Sequence, residues 1–382
     1  MAQHATTAPR PAAWADPDRR GHTVALLGCG NIGSQLVPLL ARLPGLSRLI
    51  IVDRDSYETS NLASQAIVPG DVGKPKALVQ ARTARRLNPQ LQVIPLVGDI
   101  AMLPLGQVRA DVLVGALDNG WARMAVNEAA WMLGRPWIDT AVDGAAWLVR
   151  VDVYNPSDGP CHECGYSDAD YDAAGWETHC LGAGRPAPTN APRAIGALAA
   201  ALGALECQKL LQGDWPRALA GRELLQDVRH HKHYVSALRR NPACRFHHET
   251  YPITALVQGP AELSLGEAFA LGAPGATALR HVRGTFVRRL TCPGCGRSAH
   301  VLRLSHRLGR GARRCRHCGG AMEAGGFDHA PWLDRDSVPG AADRRSLASL
   351  GFQPGDVFAV RQPERTTYYE LASTPAPDGP CS

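Results

Sequence analysis

Three groups of residues in this chain have the types and spacing to do chemistry. Gly28-Cys29-Gly30-Asn31-Ile32-Gly33 is a glycine-rich turn of the form GxGxxG. Its first glycine permits a tight turn and its second lets phosphate approach backbone N–H groups. Its third allows a helix to pack closely on a strand. Asp53 comes twenty residues after Gly33, where a carboxylate can accept hydrogen bonds from a ribose. The second group is built of cysteine pairs. Cys292/Cys295 and Cys315/Cys318 are separated by nineteen residues, the spacing of a zinc ribbon, whose four thiolates leave no open position on the metal. Cys161/Cys164 is a further pair that needs two more ligands. The third group is a pair of lysines. In this arginine-biased chain only Lys74, Lys76, Lys209 and Lys232 are lysines, and the first two share Gly73-Lys74-Pro75-Lys76. An ammonium at a helix start stands where phosphate oxygens come.

The elements that must position these groups alternate. HTVALLG reads as a strand, GNIGSQLVPLLARL as a helix, SRLIIVD as a strand and PKALVQARTARRL as a helix. LQVIPL and DVLVGALDN are strands, WARMAVNEAAWML a helix and RPWIDT a strand. This rhythm predicts an α/β fold with a doubly wound, mostly parallel sheet covered on both faces. GAAWLVRVDVYNP alternates apolar and polar residues, as an antiparallel extension would. Residues 165–190 form a long Gly/Pro/Asp-rich loop, and a helix follows from Ala191 to Leu211. The chain divides into a lead-in at 1–20, a main domain at 21–250, a small domain at 251–375 carrying the ribbon at 290–320, and a tail at 376–382.

Taken alone, the glycine turn and Asp53 say only that a nucleotide binds, and an NAD-dependent dehydrogenase reads them best. The residues that follow do not suit one. Asp53-Arg54-Asp55 leads to Ser60-Asn61-Leu62 and Gln65, then to Gly73-Lys74-Pro75-Lys76, and later to Leu117-Asp118-Asn119. In this order the chain resembles the ThiF/MoeB and ubiquitin-activating-enzyme superfamily, from about Gly21 to about His248. The resemblance implies a Rossmann-like adenylation domain. It would bind ATP and Mg²⁺ and adenylate the C-terminal glycine carboxylate of a small ubiquitin-like or sulfur-carrier protein. Gly28, Gly30, Gly33, Asp53, Asp55, Asn61, Gln65, Lys76 and Asp118 are the expected nucleotide contacts. Lys76 would neutralise phosphate and Asp118 would hold Mg²⁺. The alternatives are a solvated lysine at a helix start, an Asx-turn aspartate at 118 and a turn-forming Asn61. One position departs from the pattern: Ser64 stands where the family carries an arginine. Lys74 or a partner could replace that charge, and Arg19 and Arg20 are weak candidates for a second arginine.

The resemblance also assigns a thiol and a metal. Cys180, with His179 beside it, matches the cysteine that attacks the acyl-adenylate, against the alternative of a merely exposed loop cysteine. Cys161 and Cys164 would share a structural zinc with Cys244 and His247, His248 being the fallback ligand. Cys292, Cys295, Cys315 and Cys318 hold the second zinc. Cys207 reads as core and Cys29 as a small filler. A homodimer is implied, and the ribbon is a docking element for the carrier or a conjugating enzyme.

Composition narrows the field further. The net charge of +6 and the absence of a basic run interleaved with aromatics argue against nucleic acid. The Ala191–Leu211 segment carries Arg193, Glu206 and Lys209, which suits a buried or interfacial helix better than a membrane span. Cysteines grouped as ligands, with no export signal, point to the cytoplasm. Two rivals remain. A nicotinamide-dependent oxidoreductase leaves the SNL, GKPK and LDN segments idle and offers no hydride-transfer acid. A non-catalytic zinc-dependent scaffold would account for Ser64.

Overall fold

A computed structural model describes residues 21–157, 159–173, 191–272, 275–338 and 340–373. They form two units. The first runs to Thr250 without residues 102–109, and the second joins Met102–Arg109 to the chain from Tyr251 onward.

The first unit is built on an eight-stranded sheet of order β3-β2-β1-β4-β5-β6-β7-β8. β1 (His22–Leu27), β2 (Leu46–Asp53), β3 (Gln92–Val97), β4 (Val112–Gly115) and β5 (Trp137–Asp143) are parallel. β6 (Leu148–Tyr154), β7 (Arg222–Asp227) and β8 (Lys232–Ala237) continue it antiparallel. Strand side chains alternate between faces. Val24 and Leu26 join one apolar cluster with α1 (Asn31–Leu40) and α2 (Lys76–Leu87), while Ala25 and Leu27 are fully buried on the other face. α3 (Gly120–Leu133) packs against β4 and β5. From β1 the order runs outward to β2 and β3 on one side and to β4 and β5 on the other. The switch point therefore lies between β1 and β4, where open α/β sheets hold ligands beyond the strands' carboxyl ends.

The expected long loop contains a short helix, α4 (Asp168–Ala173). α5 (Arg193–Leu211) is the described helix long and apolar enough to cross a membrane. It is a core helix: Ile195, Ala199, Ala200, Cys207 and Leu210 are buried in the cluster shared with α1. A Cβ on Gly203 would lie 2.6 Å from Thr140 Cγ2, so only glycine admits this approach to the sheet.

The second unit holds a five-stranded sheet of order β14-β10-β15-β16-β9 and a three-stranded one of order β12-β11-β13. The first contains β9 (Ile253–Ala255), β10 (Ala278–His281), β14 (Leu333–Asp334), β15 (Val357–Arg361) and β16 (Thr366–Glu370). The second contains β11 (Phe286–Thr291), β12 (Ser298–Leu304) and β13 (His329–Ala330). A helix, α6 (Leu265–Ala270), carries a capping box between Ser264 and Glu267. Sequence did not foretell the share of residues 102–109. The Gly106 N–H donates to Gly355 O at 2.8 Å and Arg109 pairs with Glu370, which ties this stretch to the second unit.

Candidate functional site

The glycine turn divides its work as the residue types predict. Gly28 has φ +96°, and a Cβ there would stand 2.4 Å from Ala116 O. A Cβ on Gly33 would stand 2.0 Å from Gly28 O, so α1 lies hard against the turn. Among the described residues nothing lies within 4 Å of where a Cβ on Gly30 would be. The N-cap of α1 is Gly30, with no side-chain cap and no acid in the first turn. Among the described residues its leading N–H groups thus have no side-chain cap, the arrangement that receives anionic oxygen.

Asp53, at the end of β2, braces this turn. Its Oδ2 accepts the Cys29 N–H at 2.6 Å and its Oδ1 accepts the Asp55 N–H at 2.8 Å. Each oxygen keeps a second lone pair for a ribose, but the first task of the carboxylate is local. Burial pushes its pKa up, against the pull of Lys76. Lys76 begins α2 and is held by the Asp53-Arg54-Asp55 segment: its N–H donates to Asp55 O at 2.8 Å and its Nζ lies 3.8 Å from Asp55 Oδ2. The ammonium sits 5.7 Å from the centre of the Tyr57 ring, and the Tyr57 hydroxyl donates to Cys29 O at 2.9 Å. Lysine and glycine turn thus share one support. Lys74 is exposed.

Asp118 follows β4 and is exposed. The turn chemistry that would have explained it belongs to its neighbour, because Asn119 is the N-cap of α3 and its Oδ1 accepts the Ala122 N–H at 2.8 Å. Among the described residues, the Asp118 side chain accepts the Asn119 amide alone, at 2.9 Å. Its carboxylate is left for a ligand at the carboxyl edge of the sheet. Asn61 is placed differently from expectation. Its Oδ1 accepts the Glu58 N–H at 2.9 Å and so closes the Thr59–Ala63 turn. Gln65 is buried with its Oε1 unpartnered among the described residues, and Ser64 is half-buried. Cys180 and His179 lie outside the described residues, as do Arg19 and Arg20.

Two arginines escaped the sequence reading. Arg54 Nη1 donates to Asp99 Oδ2 at 2.7 Å, and its charge is stabilised by Asp99, Asp55 and Asp118 against the cost of burial. It puts a guanidinium at this edge. Its place between two motif aspartates was the available signal. Arg123 in α3 donates to Leu117 O at 2.6 Å and so holds the segment that carries Asp118. Its other partner is Asp139, fully buried, 3.1 Å from Arg123 Nε and 2.8 Å from Arg150 Nη2. Burial opposes ionisation of Asp139, but the two guanidinia overcome it and hold its pKa low. Nothing local in sequence links Arg123, Asp139 and Arg150.

This network reaches the first cysteine cluster. Arg150 also meets Asp152 at 3.3 Å, and the Tyr154 hydroxyl donates to Asp152 at 3.0 Å. The same hydroxyl lies 3.1 Å from Nδ1 of His162, a residue inside the Cys161–Cys164 knuckle. Asp139, Asp152 and His162 come close enough to suggest a metal site. Two guanidinia already fill that role, so the cluster is an ion-pair network.

Cys161 Sγ lies 3.8 Å from Cys164 Sγ and 3.7 Å from Cys244 Sγ, and Cys164 Sγ lies 3.2 Å from His248 Nε2. Thiolates at tetrahedral zinc stand about 3.8 Å apart, so the set fits that metal. The fourth ligand corrects the expectation of His247. That ring accepts the Glu249 N–H at 3.0 Å and faces outward. The chain at His248 has φ +56°, which turns its ring edge-on to Trp131 at 5.0 Å and toward Cys164. Cys292, Cys295, Cys315 and Cys318 form the second set, with Sγ–Sγ distances of 3.4 Å (Cys292–Cys318) and 3.6 Å (Cys295–Cys315). Each knuckle turns on a left-handed glycine, Gly296 at φ +72° and Gly319 at φ +75°. Cys29 and Cys207 are buried and their thiol pKa values are raised by burial, so neither is a nucleophile.

The model of the ThiF family matches residues 19–246, and the chain belongs to that family. A sulfur carrier protein adenylyltransferase of Thermus thermophilus is 32% identical over 235 residues, covering 58% of this chain and 80% of the relative. A SAMP-activating enzyme E1 of Haloferax volcanii is 31% identical over 230 residues, covering 58% and 78%. The adenylyltransferase and sulfurtransferase MOCS3 of Sus scrofa is 29% identical over 243 residues, and this chain spans 50% of its length. Among solved structures, E. coli MccB superposes with a TM-score of 0.49 at 25% identity, over 59% of this chain and 65% of that one.

Proposed function

We propose that this chain is an ATP-dependent adenylyltransferase that activates the C-terminal carboxylate of a small sulfur-carrier or ubiquitin-like protein. One observation carries the reading. The open α1 N-terminus at Gly30 lies at the sheet edge that also carries the Lys76 ammonium and the exposed Asp118 carboxylate. Relatives named for this activity match the unit that contains all three.

The triphosphate lies along the α1 N-terminus, where N–H groups and Lys76 disperse its charge. Asp118 would hold Mg²⁺, which supplies further positive charge at the phosphates. A carrier carboxylate oxygen attacks the α-phosphorus. The bond to the bridging oxygen breaks, pyrophosphate leaves, and an acyl-adenylate remains. Cys180 then attacks the acyl carbon as a thiolate, forming a thioester and releasing AMP. The two cysteine sets hold structural Zn²⁺. The protein works as a homodimer in the cytoplasm, where thiolate ligands stay reduced, and hands its product to a conjugating enzyme or a sulfur-transfer step.

The test is exchange of labelled pyrophosphate into ATP with a carrier encoded beside the gene and ending in glycine. Carrier-dependent exchange is expected. No exchange with a verified carrier, together with tight NAD binding by calorimetry, would sink the proposal in favour of an oxidoreductase.

A further inference from the structure

The second unit lies outside the family match, and its charge is distributed unevenly. Between Arg280 and Arg316 there are eleven arginines and no Asp or Glu. This stretch contains β11, β12 and three of the four ribbon cysteines, Cys292, Cys295 and Cys315. A cavity of about 480 Å³ opens against it. Arg288, Arg289 and Arg345 line this cavity with His300, while Leu302 and Val338 are among its aliphatic lining. Phe327, also in the lining, is fully exposed.

The arginines are unequally satisfied. Arg289 meets Asp328, the one carboxylate in the lining, at 3.0 Å. Arg288 stands 3.9 Å from Asp334, too far for a hydrogen bond. Arg345 donates to the carbonyls of Leu302 and Ser349, each at 3.3 Å, and among the described residues no carboxylate lies within salt-bridge distance of it. Burial and the nearby Arg303 lower its pKa, the mark of a cation lacking an anion. Arg303 itself has a buried Nε with no hydrogen-bond partner among the described residues.

We propose that this cavity docks a partner protein through a short segment in which an aliphatic side chain is flanked by carboxylates. The aliphatic lining takes the anchor, Phe327 covers it, and Arg288 and Arg345 meet the acids. Nucleic acid fits less well. A polyanionic strand is held by an open basic track with several aromatic faces, whereas this lining has one phenyl ring, Phe327, and one imidazole, His300, beside aliphatic side chains. The proposal concerns the second unit alone and stands or falls apart from adenylation.

The experiment selects random short peptides displayed on phage against the full zinc-loaded chain. Enriched peptides are then measured by fluorescence anisotropy. Peptides with an aliphatic residue between Asp or Glu are expected, bound about tenfold more weakly by Arg288→Glu and at raised salt. Phe327→Ala should weaken them without changing zinc content or melting temperature, which controls for folding. Enriched peptides without acidic excess would overturn the proposal. So would equal binding to Arg288→Glu, or an oligonucleotide that binds more tightly and is lost with the same substitution.

Discussion

The two cysteine clusters offer similar donors in different settings. Cys161, Cys164, Cys244 and His248 come from two distant stretches of chain, and the knuckle between the first pair is built into the hydrogen bonds of the first unit. From His162 these bonds run through Tyr154, Asp152, Arg150, Asp139 and Arg123 to the carbonyl of Leu117, beside Asp118. Cys292, Cys295, Cys315 and Cys318 come from one stretch, and the first three pack with a small apolar cluster of their own, including Val287, Leu290 and Met322. Under the proposed function, similar ligand sets would brace the reaction site in one place and hold up a small module in the other. The difference lies in what surrounds the ligands.

The sharpest way to break this comparison is to remove one ligand from each cluster. Cys164→Ser should release zinc from the first unit, lower its melting temperature and abolish pyrophosphate exchange, since structural zinc binding is worth about 10 kcal/mol or more in small domains. Cys315→Ser should release the other zinc and leave exchange running. Metal content, calorimetry and exchange on both variants decide it. Equal loss of exchange would show that the clusters do not differ as described.

Arg123→Ala probes the bridge between the first cysteine cluster and Asp118. It leaves Asp139 buried with one guanidinium fewer, and stability should fall by about 3–5 kcal/mol. Denaturant melts measure that. Exchange should fall as well, because Leu117 loses its donor. An undisturbed rate would mean that the Asp118 segment is held without Arg123.

A smaller effect concerns pH. Burial pushes the Asp152 carboxyl up to about 7, with Asp139 and Glu223 adding to the rise and Arg150 opposing it. A carboxyl whose folded pKa lies above its unfolded value binds protons more tightly when folded. Its contribution to stability is thus full below the unfolded value of about 3.9 and is lost as pH rises through about 7. Asp152→Asn should flatten the fall in melting temperature between these limits. The ribbon contains no buried acid of this kind among the described residues, so its transition should not change.

The smallest effect separates two adjacent histidines. His248→Ala should cost the first unit its zinc, and His247→Ala should change stability by no more than about 0.5 kcal/mol. Zinc stoichiometry on the two variants is enough.

Sequence showed best what is local. The glycine turn, Asp53, Lys76 and the ribbon knuckles depend on residues a few positions apart, and their backbone geometry follows from residue type at Gly28, Gly33, Gly296 and Gly319. The order of strands and helices was equally legible, because apolar period reports element type. What sequence did not reveal depends on folding. His248 displaces His247 through a left-handed backbone turn and a contact with Trp131. Arg123, Asp139 and Arg150 meet only after β5, β6 and α3 have packed. Residues 102–109 leave the first unit for reasons, such as the pairing of Arg109 with Glu370, that no local pattern carries.

The most direct measurement is a crystal structure of the protein with a non-hydrolysable ATP analogue and Mg²⁺. The phosphates should cross the amides that open at Gly30, within reach of Lys76 Nζ, with the metal on a carboxylate oxygen of Asp118. A nucleotide bound elsewhere, or phosphates that meet neither side chain, would contradict the assignment of this edge as the reaction centre.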